Sequence, residues 1–177
     1  MGKPEAFEKE KLIMGVIFST REKHDAAMKI LREHFGETDF ETEEFSFTNE
    51  FSDYYDEELG GEARRIIYSF EKTVDPQIQA KIKLLTNEIE LALSDDGVNR
   101  PVNLDTGFMS HGRLLLATTK KTGFRIPLSD GIYTELTLFY ARGAWQKLPW
   151  TYRDYQSERV QAFLSEVRRR YLKQRQE

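Results

Sequence analysis

The sequence predicts an α+β fold: a ferredoxin-like split βαβ layer of helices on an antiparallel sheet, extended by antiparallel hairpins and a C-terminal helix. Two observations predict it. Apolar patterns follow the order strand, helix, strand, strand, helix, strand up to residue 104. Between residues 103 and 137, alternating apolar residues and glycine-containing turns indicate a meander of antiparallel strands.

Length and composition predict one globular domain. The 177 residues divide into a flexible arm (1–10), a ferredoxin-like half (11–104) and antiparallel strands with a C-terminal helix (105–177). The chain has no cysteine, which excludes disulfides and thiolate metal sites and fits the cytoplasm. The first apolar run, Leu12 to Phe18, is too short for a signal peptide or a membrane span, so we expect no membrane association. The net charge of −4 disfavours binding to nucleic acid.

The first strand and helix are predicted by a continuous apolar run and its flanking residues. Leu12 to Phe18 is apolar throughout and has the length of a central strand buried on both faces. Ser19 and Glu22 have the spacing of a capping box, which predicts that a helix begins there. Gly36 follows the last apolar residue of the helical pattern, where a glycine with positive φ would end the helix.

The remainder of the first half alternates strands and helices. Residues 40–47 predict an irregular strand, 48–61 a loop with a short helical turn, and 64–70 a regular strand. Asp75-Pro76 predicts a helix start, because aspartate caps the first amides and proline is tolerated at the first helical position. The helix presents one apolar stripe: Ile78, Ile82, Leu85, Ile89 and Leu93. Residues 101–104 provide the closing strand.

The second half reads as three further strands, at 114–120, 124–128 and 132–140. A three-residue loop centred on Asp130 would place Arg125 directly opposite Glu135. In the preceding hairpin either Thr119 or Lys120 lies opposite Arg125, depending on loop length.

The chain ends in an aromatic segment and a helix. Residues 143–154 are rich in tryptophan and tyrosine and are expected to wrap the sheet edge. Their aromatic rings either stack a ligand ring or complete the core. The last helix is predicted from about Tyr155.

Polar residues of the meander are candidates for binding a small anionic ligand, such as a phosphorylated metabolite or a nucleotide. Arginine offers a planar fork and lysine a point charge to phosphate. The candidate ligand-binding residues are Asp105, Arg113, Thr119, Lys120, Arg125 and Glu135. The alternative is that Arg125 only pairs with Glu135 across a hairpin and the lysines are exposed in turns.

Other constellations leave the catalytic residues and cofactors unknown, and they predict no metal site. Asp105, Asp130 and Glu135 could hold Mg²⁺, but Asp105 and Asp130 also lie in ordinary turn sequences. The histidines lack an HExxH arrangement, and His111 is the one considered as an acid or base, against a plain loop role. There is no GxxxxGK[ST] loop for a nucleotide phosphate.

The charge distribution supports a second function. Every charged residue between 37 and 62 is acidic, whereas 113–153 is mostly basic. These segments could be internally complementary, or they could form surfaces of an interaction or regulatory module or of a homo-oligomer.

Several motifs in combination resemble a known family. They are FTNEFSDYYDEELGG, LLTNEIE, NLDTGFMSHGRLLLATTKKTGFRIPLSDGIYTELTL and LPWTYRDY. As a set they are similar to the prokaryotic family catalogued as domain of unknown function 4416, over nearly the whole chain. The resemblance implies a recurring domain and carries no established activity.

Overall fold

The computed structural model describes residues 2–176. These residues contain nine strands: β1 (Glu10–Phe18), β2 (Thr38–Glu41), β3 (Phe45–Ser46), β4 (Arg64–Val74), β5 (Val102–Met109), β6 (Arg113–Thr118), β7 (Ile126–Pro127), β8 (Tyr133–Ala141) and β9 (Ala144–Lys147). They contain five α-helices: α1 (Arg21–Phe35), α2 (Phe47–Glu50), α3 (Asp56–Leu59), α4 (Gln79–Ala92) and α5 (Glu158–Gln174). Short 3₁₀ helices at Pro76–Ile78 and Asp154–Gln156 lie before α4 and α5.

All the strands join one antiparallel sheet, in the order β2-β4-β1-β5-β6-β8-β7. Strand β3 pairs with β4, and β9 pairs with β8. The predicted mixture of helices with an antiparallel sheet is therefore confirmed. Strand β1 lies inside the sheet, between β4 and β5, which agrees with the central position that its apolar run predicted. Strand β5 continues through the predicted boundary at residue 104.

Helices cover both faces of the sheet, because successive side chains of a strand point to opposite sides. On β1, Leu12 and Met14 pack in the same core cluster as residues of α1 and α4. Ile13 and Ile17 pack in a second cluster with residues of α2, α3 and α5. The central strand is thus buried on both faces.

The helix starts differ from the prediction in α1 and α5. Helix α5 begins at Glu158, after the predicted start near Tyr155, because a 3₁₀ helix occupies Asp154–Gln156. Gly36 has φ +85° and follows α1, as predicted. The N-cap of α1 is Thr20, whose hydroxyl accepts a hydrogen bond from the Lys23 amide at 3.4 Å. The predicted cap, Ser19, instead donates its hydroxyl to the Leu59 carbonyl at 2.6 Å. Asp75 caps the turn before α4, as predicted.

One of the two predicted hairpins is present. Ile126 pairs with Thr134 and Pro127 with Tyr133, so Asp130 is central in the loop and Arg125 lies opposite Glu135. The hairpin predicted just before it is wrong, because β6 pairs with β8 instead of β7. Strand β7 is short and contains a proline, which cannot donate to a ladder, so it suits the edge of the sheet.

The aromatic segment after β8 contains an additional strand, β9, which the sequence patterns did not predict. Its Trp145 packs in the core on the α5 side of the sheet. In the described part of the chain, every helix is too short or too polar to cross a membrane.

Buried His24 makes stability dependent on pH. Its Nε2 lies 2.8 Å from the Tyr68 hydroxyl and its Nδ1 lies 2.7 Å from the Asp25 carboxylate. Burial lowers the pKa of His24 below its ordinary value. At mildly acid pH the unfolded chain therefore binds more protons at this residue than the folded protein does.

We expect His24 to make the free energy of unfolding decrease as pH falls below about 6.5, by up to about 1.4 kcal/mol per pH unit until its folded-state pKa is reached. Urea unfolding between about pH 5 and pH 8 measures this slope. His24→Gln should show a flatter profile, whereas His34→Gln replaces an exposed histidine of the same helix as a control. Parallel profiles for wild type and His24→Gln would contradict the prediction.

Candidate functional site

A glycine in the central strand allows a buried arginine to cross it. Gly15 on β1 pairs with Ile67 on β4 and with Asp105 on β5. The guanidinium of Arg65 occupies the space beside Gly15, since a Cβ there would lie 3.2 Å from its Cζ and 3.3 Å from its Nε. Arg65 starts on β4, passes over β1 and donates from Nη2 to Asp105 Oδ2 at 2.9 Å.

The same guanidinium contacts a second carboxylate. Arg65 Nη1 lies 2.6 Å from Asp154 Oδ2 in an ion pair, although the angle is not that of a hydrogen bond. Its Nη2 also donates to the Tyr155 hydroxyl at 3.2 Å. Arg65 is 2% exposed and Asp154 3% exposed, so the pair is shielded from solvent.

The charges of this cluster are set by burial and by one another. Burial raises the pKa of Asp154, and Arg65 opposes that rise. For Arg65, burial lowers the pKa of the guanidinium, but Asp154, Tyr155 and Asp105 together raise it above its ordinary value. Burial also raises the pKa values of the Tyr55 and Tyr155 phenols. Arg65 therefore stays charged, and Asp154 protonates more readily than an ordinary aspartate.

A polar chain continues from this cluster to the helices. Asn103 donates to Asp105 Oδ1 at 2.9 Å and accepts from Arg100 Nη1 at 3.0 Å. Arg100 makes a bidentate pair with Glu58, at 2.6 and 2.8 Å, and also donates to Glu90 at 3.0 Å. The hydrogen bond from Arg100 lowers the pKa of Glu58, whereas burial raises that of Glu90. These bonds link α3 and α4 to β5.

Beside Arg65 the fold leaves a cavity of about 180 Å³. Its lining combines aromatic rings, hydroxyls, amides and charged groups: Phe47, Tyr54, Tyr55, Arg65, Lys83, Asn87, Arg100, Asn103, Asp105, Leu116, Ala117, Thr118, Thr119, Lys120, Glu135, Tyr152, Asp154 and Tyr155. A cavity with convergent polar groups is typical of a binding site for a small molecule.

One wall of the cavity is built on Arg125. Its Nε donates to Glu135 Oε2 at 2.8 Å, its Nη1 to the Lys120 carbonyl at 2.7 Å and its Nη2 to the Tyr152 hydroxyl at 2.9 Å. Glu135 is 1% exposed. Within residues 2–176, its other oxygen, Oε1, has no hydrogen-bond partner, and neither does Arg65 Nε.

Lys120 and Tyr54 form the exposed rim. The Lys120 ammonium donates to the Tyr54 hydroxyl at 3.4 Å and lies 5.0 Å from the centre of that ring. Of the four cations that line the cavity, Arg65, Lys83 and Arg100 lie within 4.0 Å of a carboxylate, whereas no ion pair of the described residues includes Lys120.

A bound metal ion would need several side-chain ligands close together. Among residues 2–176, no group of three or more histidine, aspartate or glutamate side chains is arranged to hold a metal ion. The cavity lining offers hydrogen-bonding groups, aromatic rings and, among the described residues, one ammonium outside any ion pair, that of Lys120.

A family model described as a domain of unknown function, DUF4416, matches residues 8–171, which include every residue of this cavity. The chain belongs to this family. The resemblance indicated by the sequence motifs is thus confirmed. Comparison with curated proteins and with solved structures gives no match.

The DUF4416 domain brings most of the sequence-predicted site residues together. Asp105, Thr119, Lys120 and Glu135 line the cavity, and Arg125 contacts Glu135. The pairing of Arg125 with Glu135, stated as the alternative to a ligand site, is present at the cavity wall.

Two of the predictions place residues differently from the structure. Arg113 lies away from the cavity, where its Nη2 donates to Glu10 at 2.5 Å and its Nη1 to Ser110 at 3.2 Å. Asp105, which the turn interpretation placed in a loop, lies within β5 because its backbone pairs with Gly15. Nearby His111 is exposed, and its carbonyl accepts from Arg168.

Aromatic residues of both predicted segments contribute to the cavity. Tyr54 and Tyr55 from the acidic loop, and Tyr152 and Tyr155 from the segment before α5, line it. Trp150 instead stacks on Phe124 at 4.7 Å and donates to a backbone carbonyl, so it completes the structure of the edge.

Sequence reasoning missed Arg65, Arg100 and Asp154. One local signal pointed to Arg65: Gly15 is the single glycine in an otherwise apolar strand, and such a glycine often marks the close approach of another group. No residue near Asp154 in the sequence indicates its ion pair with Arg65, because the two residues are 89 positions apart.

Proposed function

We propose that this protein binds a small anionic ligand, such as a phosphate ester or a nucleotide, in the cavity beside Arg65 and Glu135. The observation that carries the proposal is Lys120, an exposed ammonium at the rim of a polar cavity that forms no ion pair within the described chain. An ammonium with free donors binds phosphate oxygens as a point charge.

The surrounding groups support an anion at the rim, beside Lys120, and not deeper in the cavity, beside the arginines. The guanidinium groups of Arg65, Arg100 and Arg125 are already neutralised by carboxylates, so they have little attraction left for an anion. Thr118 and Thr119 line the cavity just before Lys120, and a threonine hydroxyl can donate to a phosphate. The tyrosine rings offer contact surface to the remainder of the ligand.

The proposal includes the fold of the first half and the location of the protein. We infer a ferredoxin-like split βαβ unit for β1 to β5. The strand order supports it, because β4 lies between β1 and β2, and β1 lies between β4 and β5. We place the protein in the cytoplasm, a proposal supported by the absence of cysteine.

An interaction module or homo-oligomer is the alternative proposal. It has less support, because five carboxylates of the acidic segment pair within the chain: Glu37 with Arg32, Asp39 with Lys11, Glu44 with Arg21 and Arg64, Glu50 with Arg159, and Glu58 with Arg100. A molar mass that increases with protein concentration and decreases with added salt would favour this alternative.

A thermal-shift screen tests the ligand proposal. Inorganic phosphate, ethyl phosphate and mononucleotides are added to wild type, Lys120→Ala and Lys121→Ala, where Lys121 is the exposed neighbour that does not line the cavity. A bound compound at about 100 times its Kd raises the free energy of unfolding by about 2.7 kcal/mol. We expect Lys120→Ala to weaken binding by about tenfold or more, because a charge-assisted hydrogen bond contributes about 1.5–3 kcal/mol.

Lys121→Ala should respond like wild type. Equal stabilisation of wild type and Lys120→Ala by every bound compound would contradict the assignment of the anion site to the rim. The absence of any stabilisation of wild type would contradict the proposed function itself.

A further inference from the structure

We infer that the ligand is bipolar: besides the anionic group at Lys120 it carries a primary amine that donates to the free oxygen of Glu135. This inference rests on the proposed function, because it concerns the same cavity. It adds the chemical class of the ligand, an amine-bearing anion.

The first support is the unsatisfied oxygen itself. Glu135 lines the cavity, is 1% exposed, and uses Oε2 to accept from Arg125. Its Oε1 is buried and has no donor in the part of the chain that the structure describes. Buried polar atoms are almost always hydrogen-bonded, and a buried carboxylate oxygen without a donor is costly. A ligand with a donating group satisfies it.

The second support is the net charge of the ion pairs that Arg65 and Arg125 form. Among the ion pairs around Arg65 and Arg125, these two positive charges meet the three negative charges of Asp105, Asp154 and Glu135, which leaves a net charge of −1. Lys83 and Arg100, which also line the cavity, are balanced by Glu90 and Glu58. An ammonium neutralises this charge, whereas a second anionic group would be repelled. When Asp154 takes up a proton the sum becomes zero, and Glu135 Oε1 still needs a donor.

The third support is that one guanidinium fixes the two residues that carry the binding groups. One guanidinium, that of Arg125, holds both the Glu135 carboxylate at 2.8 Å and the Lys120 carbonyl at 2.7 Å. The residue that supplies the rim ammonium and the carboxylate with the free oxygen are therefore fixed to each other. A small molecule with an anion at one end and an amine at the other matches this arrangement.

Calorimetry with matched phosphates tests the inference. The probes are ethyl phosphate and 2-aminoethyl phosphate, which differ by the amine, and 3-aminopropyl phosphate, which varies the span. Wild type should bind at least one of the two amines roughly tenfold tighter than ethyl phosphate, as expected for one charge-assisted hydrogen bond.

Glu135→Gln should abolish this preference. The glutamine keeps an oxygen for Arg125 but presents an amide N–H₂ where the amine would donate, so the ratio between the affinity for the amines and the affinity for ethyl phosphate should fall to about one. Glu43→Gln, the same substitution at an exposed glutamate, should retain the wild-type ratio.

The outcomes separate the two proposals. If wild type binds ethyl phosphate and both amines equally, or Glu135→Gln keeps the preference, the inference is overturned while the anion site stands. If none of the three phosphates binds to wild type, the proposed function fails, and the inference fails with it.

Discussion

Replacement of Arg65 by methionine is expected to lower the free energy of unfolding by about 3–5 kcal/mol, because it leaves buried carboxylates without their counter-charge. Asp154 is 3% exposed and depends on Arg65 for its ion pair, and Asp105 loses one of its two hydrogen-bond donors. Urea unfolding monitored by circular dichroism measures the change.

The adjacent arginine is the matched control. Arg64 pairs with Glu44 on the surface and is more than half exposed, so Arg64→Met should change stability by less than about 1 kcal/mol. Without Arg65, the largest influence that opposes the effect of burial on Asp154 is lost, and the folded-state pKa of this carboxyl should rise further. The folded state of Arg65→Met then binds more protons than the unfolded chain, so its stability should decrease as pH rises from about 4 towards that raised pKa. Equal, small effects of the two arginine variants would contradict this account.

Gly15→Ala is expected to destabilise the protein by about 2–4 kcal/mol although it adds one methyl group. That methyl group would overlap the guanidinium of Arg65, which is closed in by Asp105 and Asp154. Arg65 would have to move away from its partners or the strands would have to separate. The same urea titration measures the effect.

Two comparisons isolate the cause of the Gly15 effect. Gly112→Ala places a methyl group in open space and should change stability by less than about 1 kcal/mol. In Gly15→Ala/Arg65→Met the flexible methionine can move aside, so the double variant should be less destabilised than the sum of the two single changes. Strict additivity would show that Gly15 is required for some reason other than the passage of Arg65.

The sequence patterns predicted those parts of the fold that depend on local chemistry. The apolar run of β1, the glycine after α1 and the Asp75-Pro76 start before α4 each act through neighbouring residues, and each is present. The register that sets Arg125 against Glu135 followed from the three-residue loop around Asp130, which has φ +54°.

The sequence patterns did not predict which strands pair when the partners are distant in sequence. Strand β6 pairs with β8, and a local reading favours the next strand in sequence, which is β7. For the same reason the centre of the site was not predicted. Arg65 contacts residues on β5 and in the turn before α5, and only the order β4-β1-β5 brings these together.

The site combines a rigid interior with an open rim. The ion pairs of Arg65 and Arg125 join neighbouring strands and the segment before α5. They also fix the positions of hydrogen-bonding atoms in and beside the cavity lining. Lys120 and Tyr54 come from two loops that meet at the rim. This division of roles is typical of a binding site on a structured scaffold, where loops contact the ligand and the sheet fixes their positions.

A crystal structure of the protein grown with saturating ethyl phosphate tests the central claim most directly. We expect the phosphate to lie at the rim of the cavity, with an oxygen about 3 Å from the Lys120 ammonium. Ethyl phosphate bound elsewhere on the surface, with the cavity occupied by water alone, would contradict the assignment of this cavity as the ligand site.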